Sequence, residues 1–160
     1  MITTIKFAKL KKDAIIPSKS KENAGYDIYP CFEEEYIHIP PHETILIPTG
    51  ICSAFDDDYV MILKERGSTG TKGLAQRCGV IDSGFRGEWF VPITNTNEHP
   101  IFIAKTPKDI SENKAYPYNK AICQALLLPV PEVDVEEYTP DEIKAIPSKR
   151  GDGMLGSTNK

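Results

Sequence analysis

No stretch of this chain approaches eighteen consecutive apolar residues, so no helix-type membrane span is expected. The N-terminus, Met1-Ile-Thr-Thr-Ile-Lys, lacks the basic-then-apolar layout of a secretory signal, and an intracellular protein is expected. Cysteine is sparse: Cys31, Cys52, Cys78 and Cys123 lie far apart with no C-x-x-C, and reduced, partly buried thiols are expected. Positive charge is not clustered. Lys and Arg number 19 against 23 Asp and Glu, for a net charge of −4, so no nucleic-acid partner is expected. An anionic substrate would need local Arg or Lys, or a metal ion, to offset the repulsion. Of the three histidines, His38 and His42 stand four apart, but Pro40 and Pro41 between them forbid the helix that would pair them on a metal.

What is abundant is punctuation. Thirteen prolines and eleven glycines cut the 160 residues into pieces too short for typical helices, and the length suits one domain. Between the breaks, Ile2–Ala8, Tyr36–Ile39, Thr44–Ile47, Tyr59–Lys64, Trp89–Ile93, Ile101–Ala104 and Ala121–Pro129 are rich in Ile, Val, Leu and aromatics and read as strands. Two of them, Thr44-Ile-Leu-Ile-Pro and Tyr59-Val-Met-Ile-Leu, are nearly continuous in apolar residues and are expected to be covered on both faces. The chain therefore reads as all-β, a sandwich, jelly roll or barrel. One helix is expected, where Thr139 caps, Pro140 takes the first position, Glu142 completes a capping box and Pro147 stops the run. Residues 1–147 would form the β domain. Residues 148–160, glycine-rich and almost devoid of apolar side chains, would form a flexible C-terminal arm. The acidic runs Glu33-Glu-Glu35 and Asp56-Asp-Asp58 read as solvated loops.

Four polar, glycine-bearing segments carry candidate chemistry. In the arm, Gly151-x-Gly153-x-x-Gly156 matches a dinucleotide-binding pattern, but no strand precedes it and no βαβ unit can follow. What survives is a backbone able to turn several N–H groups toward an anion, with Arg150, Ser157 and Thr158 as further donors. Gly79-Val-Ile-Asp82-Ser-Gly84-Phe85-Arg-Gly87 reads as a tight hairpin with Asp82 near its bend. In it Asp82 is either a turn residue or a general base, and Phe85 offers a flat face to a sugar or base. Ala24-Gly-Tyr-Asp27-Ile offers a carboxylate suited to a turn or to hydrated Mg²⁺. Glu65-Arg66-Gly67-Ser68-Thr69-Gly70 concentrates a cation, hydroxyls and glycines, as a phosphate contact or as a plain polar loop.

In order and spacing these segments resemble the five motifs of the trimeric dUTP diphosphatase (dUTPase) family, Ala121-Ile-Cys-Gln124-Ala-Leu standing for the fourth. The resemblance implies a distorted jelly roll, or β-clip barrel, with the short helix and the flexible arm. It also implies a homotrimer that shares its active sites and a Mg²⁺-dependent hydrolysis of dUTP to dUMP and diphosphate, holding dUTP low and supplying dUMP for thymidylate synthesis. Asp82 would orient and deprotonate the water attacking the α-phosphorus. Phe85 would stack under the deoxyribose and exclude a 2′-hydroxyl, and the backbone of Gly79, Val80 and Ile81 would read uracil. Gln76 stands where the family often has a base-holding Asn. Arg66, Gly67, Ser68 and Gln124 would line the phosphates, Asp27 would hold Mg²⁺ through water, and Arg150, Ser157 and Thr158 would close on the γ-phosphate. The location implied is the cytoplasm, that of the host if a phage encodes the chain.

Three positions depart from the family pattern. Gly67 intervenes between Arg66 and the usual Ser, Ala121 replaces a common Arg, and Leu155 replaces the aromatic that caps uracil. Trp89 or Phe90 is expected to supply the missing aromatic face. Two alternatives stay open. A dCTP deaminase resembles this fold, but its catalytic Glu would fall at Pro92. A regulatory protein-binding role, known among phage-encoded members, would be an addition to the intact motifs.

Overall fold

The computed structural model describes residues 4–154. Among them the chain forms strands β1 (Lys6–Lys9), β2 (Tyr26–Ile28), β3 (Tyr36–Ile39), β4 (Thr44–Pro48), β5 (Ile51–Ala54) and β6 (Tyr59–Lys64). There follow a one-turn helix α1 (Gly67–Gly70), β7 (Leu74–Gln76), β8 (Val80–Ile81), β9 (Phe90–Asn95), β10 (Ile101–Ala104), β11 (Ala115–Pro117), β12 (Cys123–Pro129) and helix α2 (Pro140–Ala145). Four small sheets, ordered β1-β5, β11-β10-β3, β2-β12-β6-β8 and β4-β9-β7, enclose one core. This is the all-β architecture that the strand-rich pattern anticipates, and the distorted jelly roll that the resemblance implies.

Alternation builds the core. In β12 Cys123 and Ala125 are buried while Gln124 between them is only half-buried, and in β6 Met61 and Leu63 face in. Trp89 is the largest fully buried side chain. Its indole N–H donates to Ser53 Oγ (3.1 Å), its carbonyl accepts from Thr49 Oγ1 (2.6 Å), and Phe7 meets it edge-on at 5.4 Å.

The structure adjusts several expectations. Of the first run, residues 2 and 3 lie outside the described part, and the strand occupies Lys6–Lys9. The Trp89 run begins one residue later and the Ala121 run two later. β2, β5, β7, β8 and β11 were not expected; at two to four residues each, they are too short to show a period. Nor is α1, held by the Thr69 N–H on the Arg66 carbonyl, legible beforehand. β4 is not covered on both faces within the protomer: Ile47 is buried, but Leu46 is 58% exposed, because adjacent residues point to opposite sides. Helix α2 forms with its full capping box, Glu142 N–H on Thr139 Oγ1 at 3.3 Å and Thr139 N–H on the Glu142 carboxylate at 2.8 Å. Burial ends well before residue 147. Every residue from Leu128 to Arg150 is exposed, including Val133, Val135, Tyr138, Ile143 and Ile146.

Candidate active site

The four-stranded sheet brings three of the polar segments together. Register sets Asp27 on β2 beside Gln124 on β12, and Gln124 beside Lys64 at the end of β6, from which the chain passes directly to Arg66. Arg66 Nε meets Asp27 Oδ1 at 3.1 Å, and its Nη1 reaches the Ala121 carbonyl at 3.3 Å and Ser68 Oγ at 3.5 Å. The Ser68 hydroxyl also lies 3.4 Å from the Tyr116 hydroxyl. Gln124 donates its amide N–H to the Glu65 carbonyl (2.9 Å). Gly25 is required opposite it, since a Cβ there would stand 2.3 Å from Gln124 Oε1. These residues line an open polar cleft of about 540 Å³, with Glu22 and Asn23 on its rim. Beneath it, burial pushes the Cys123 thiol far above its ordinary range, against the opposing pull of Arg66, so this sulfur is a packing group.

A second cleft, about 280 Å³, lies at the other edge of the same sheet. Gly79, Val80, Ile81, Asp82 and Phe85 line it together with Leu63, Phe90 and Pro92. Gly79 has φ +119°, and a Cβ there would press within 3.0 Å of the Leu63 carbonyl, so the backbone itself comes to the cleft wall. Asp82 heads the turn, its carbonyl accepting the Phe85 N–H (3.1 Å), and its side chain is exposed. The Phe85 ring lies over Gly87, where a Cβ would sit 2.7 Å from Cζ. Glu88 also borders this cleft, but its carboxylate takes the Gly50 N–H (2.8 Å) and pairs weakly with Lys11 (3.9 Å). Pro92, where a deaminase would need its acid, is part of the wall and carries no ionisable group.

Gln76 does not line the second cleft; it stands just behind it, donating from Nε2 to the carbonyls of Arg77 and Cys78. The two aromatics expected to share one role separate. Trp89 is fully buried and cannot meet a ligand, because it occupies the inward register position; Phe90, next along the strand, is 42% exposed and faces the cleft. Arg150 lies in the exposed arm, its Nε on the Gly153 carbonyl at 3.3 Å, and borders neither cleft. Leu155, Ser157 and Thr158 lie outside the described residues. Glu22, Asn23 and Cys78 also line the clefts without having been read as ligand-side residues; their nearness in the chain to Gly25 and Gly79 is the only signal the sequence gives.

The clefts are separate within one protomer. Continuing the β6–β8 register by one residue levels Asp82 with Val60, three strands and about four residues from Asp27, on the order of 20 Å away at ordinary strand spacings.

Three comparisons bear on what such a pair of clefts serves. The dUTPase family model matches residues 11–108. The deoxyuridine 5′-triphosphate nucleotidohydrolase of Clostridioides difficile is 31% identical over 158 residues, covering 96% of each chain. The dUTPase of Staphylococcus bacteriophage 80alpha, solved with dUPNHPP, superposes with a TM-score of 0.74 at 24% identity, covering 97% of this chain and 98% of that one. A mutant dUTPase from phage phi11 of S. aureus, described for its coordination of a structural Mg(II) ion, gives 0.69 at 19% identity over 84% of this chain and 96% of that one. The two phage structures bear on the fold. The family match spans more than half of the chain and the clostridial relative nearly all of it: this chain is a member of the dUTPase family.

Proposed function

We propose that this enzyme hydrolyses dUTP to dUMP and diphosphate by attack of an Asp82-activated water at the α-phosphorus. The observation that carries the reading is the second cleft, where the exposed Asp82 carboxylate, the rings of Phe85 and Phe90 and a bare run of backbone converge on a space of nucleoside size. Each part supplies a distinct need. The Gly79–Ile81 backbone offers fixed donors and acceptors to the uracil edge. Phe85, held flat over Gly87, packs under the deoxyribose and leaves no room for a 2′-hydroxyl. Asp82 takes a proton from the attacking water, a contribution of roughly 10²–10⁴-fold.

The first cleft suits the triphosphate. Arg66, Gly67, Ser68 and Gln124 present a guanidinium, backbone and hydroxyl donors and an amide to the phosphates. Its remaining oxygens, the Asp27 carboxylate foremost, fit a hydrated Mg²⁺, which takes one or two carboxylates and keeps its waters. Bound there with the triphosphate, the ion would supply charge neutralisation. The Asp27–Arg66 pair gives each partner a fixed place before substrate arrives. Arg150, Ser157 and Thr158 close over the γ-phosphate from the arm.

Because the two clefts lie far apart in one protomer, a complete site joins the first cleft of one subunit to the second cleft of another. A homotrimer follows from the family resemblance, and the exposed Leu46 on the β4–β9 face gives it an apolar surface to bury. No helix among the described residues is long and apolar enough to cross a membrane. The reading is tested by diphosphate release from dUTP, UTP, dCTP and dTTP, each with and without Mg²⁺. Turnover confined to dUTP with Mg²⁺ supports it. Nucleotide binding without diphosphate release would make the chain a binding module, and ammonia release from dCTP a deaminase.

A further inference from the structure

One residue touches both clefts without lining either. Glu65 follows the last residue of β6 and precedes Arg66. Its main-chain carbonyl holds the Gln124 amide of the first cleft at 2.9 Å. Its side chain turns the other way, and Oε1 accepts the main-chain N–H of Gln76 at 3.1 Å. From Gln76 the contacts continue into the turn behind the second cleft. Gln76 Nε2 donates to the carbonyls of Arg77 and Cys78. Cys78 is a non-glycine residue at φ 56°, and Gly79 follows at φ 119°. The far end of the turn is tied to the same strand, the Leu63 N–H donating to the Gly79 carbonyl at 2.8 Å. The end of β6 therefore grips residues 76–79 at both ends, by its backbone at residue 63 and by a carboxylate at residue 65.

We propose that Glu65 is a positioning residue: through its hydrogen bond to the Gln76 N–H it sets the 76–79 turn, and with it the backbone edge at Gly79–Ile81 that selects the base. The proposal rests on the dUTP reading for the meaning of that edge. A carboxylate acceptor on a main-chain N–H is a charge-assisted bond, stronger than its neutral counterpart. The left-handed conformation of Cys78 is costly for a side-chain-bearing residue and persists only where neighbouring contacts hold it. Without the bond at Gln76, the turn keeps its tie at Gly79 and its hold on β9, where the Arg77 N–H donates to the Pro92 carbonyl at 2.9 Å. Its start, however, loses the carboxylate that fixes it against β6, so the base-reading edge shifts while the carboxylate of Asp82, beyond it, keeps its chemistry. The effect falls on discrimination between bases rather than on the chemical step.

Two measurements on the full-length protein test this. Hydrogen–deuterium exchange over residues 74–81 reads the turn directly, and the ratio of kcat/KM for dUTP to that for dCTP reads base selection. In Glu65→Ala, exchange in that segment accelerates and the ratio falls about tenfold, the scale of one lost charged hydrogen bond, with kcat for dUTP little changed. Glu65→Gln, which keeps an acceptor oxygen, restores most of both. Unaltered exchange in Glu65→Ala overturns the proposal, and so does faster exchange with an undiminished ratio. A wild-type chain inactive on dUTP sinks the hydrolase reading instead. In that case the exchange comparison alone judges the grip, faster exchange in Glu65→Ala supporting it and equal exchange overturning it.

Discussion

Trp89 and Phe90 are chain neighbours with opposite surroundings, and their substitutions separate stability from substrate binding. Truncating Trp89 leaves a cavity in the core and unpartners Ser53, so Trp89→Ala is expected to lower unfolding stability by about 3–5 kcal/mol in a denaturant titration. Phe90→Ala removes a half-open cleft wall. Stability is expected to change little while KM for dUTP rises about three- to tenfold, the range of one aromatic contact. An unchanged KM would remove Phe90 from the nucleoside contact and leave the Leu155 departure without a substitute. At Asp82, exchange of the carboxylate for an amide keeps the turn, which is held by main-chain atoms, but removes the base. Asp82→Asn is expected to bind dUTP and lose roughly 10²–10⁴ in kcat; retained kcat would exclude it from the chemistry.

At the scale of the element, two features constrain how the site is built. Gly25, just before the short β2 strand, packs against the Gln124 side chain so closely that any Cβ must displace it from the Glu65 carbonyl. Gly25→Ala is accordingly expected to raise KM for dUTP with folding preserved, as judged by circular dichroism and steady-state kinetics. Helix α2 depends on its cap rather than on burial, since all six of its residues are exposed. The Thr139 main-chain N–H and then its hydroxyl hold the Glu142 carboxyl below its usual range. A lowered folded value means that the cap's contribution is whole above the unfolded carboxyl range and is lost as pH falls through the lowered value. Amide exchange at Thr139 should therefore rise on acidification and be independent of pH, in protection terms, above that window. A flat profile across the acid range would show the box to be without effect.

For the whole molecule, apolar side chains stand exposed along the run beyond Leu128 and at Leu46, a surface that the proposed trimer would cover. Sedimentation equilibrium is expected to give three times the chain mass of 17.8 kDa, and Leu46→Asp to dissociate it, with loss of activity if, as proposed, a complete site joins two clefts from different subunits. A monomer with full activity would contradict the shared site. Deleting residues 148–160 is expected to leave the assembly intact and abolish most turnover, since Arg150, Ser157 and Thr158 are proposed to act on bound phosphate.

Proline and glycine spacing, the alternating strands and the Thr139–Glu142 cap were legible in the chain itself, because turn chemistry, side-chain alternation and capping act over a few residues. The candidate site residues were legible one by one as turn or ligand groups, but as a set only through the family resemblance, since Asp27, Arg66 and Gln124 stand tens of residues apart and no local rule brings them together. That was decided by β-sheet register, which set Asp27 beside Gln124 and Gln124 beside Lys64. Tertiary structure also decided which of Trp89 and Phe90 faced the core, and that Asp82 and Asp27 lie in separate clefts. Long-range strand pairing depends on the fit of the whole core, and a two-residue strand such as Val80–Ile81 exists only because a neighbour offers it hydrogen bonds.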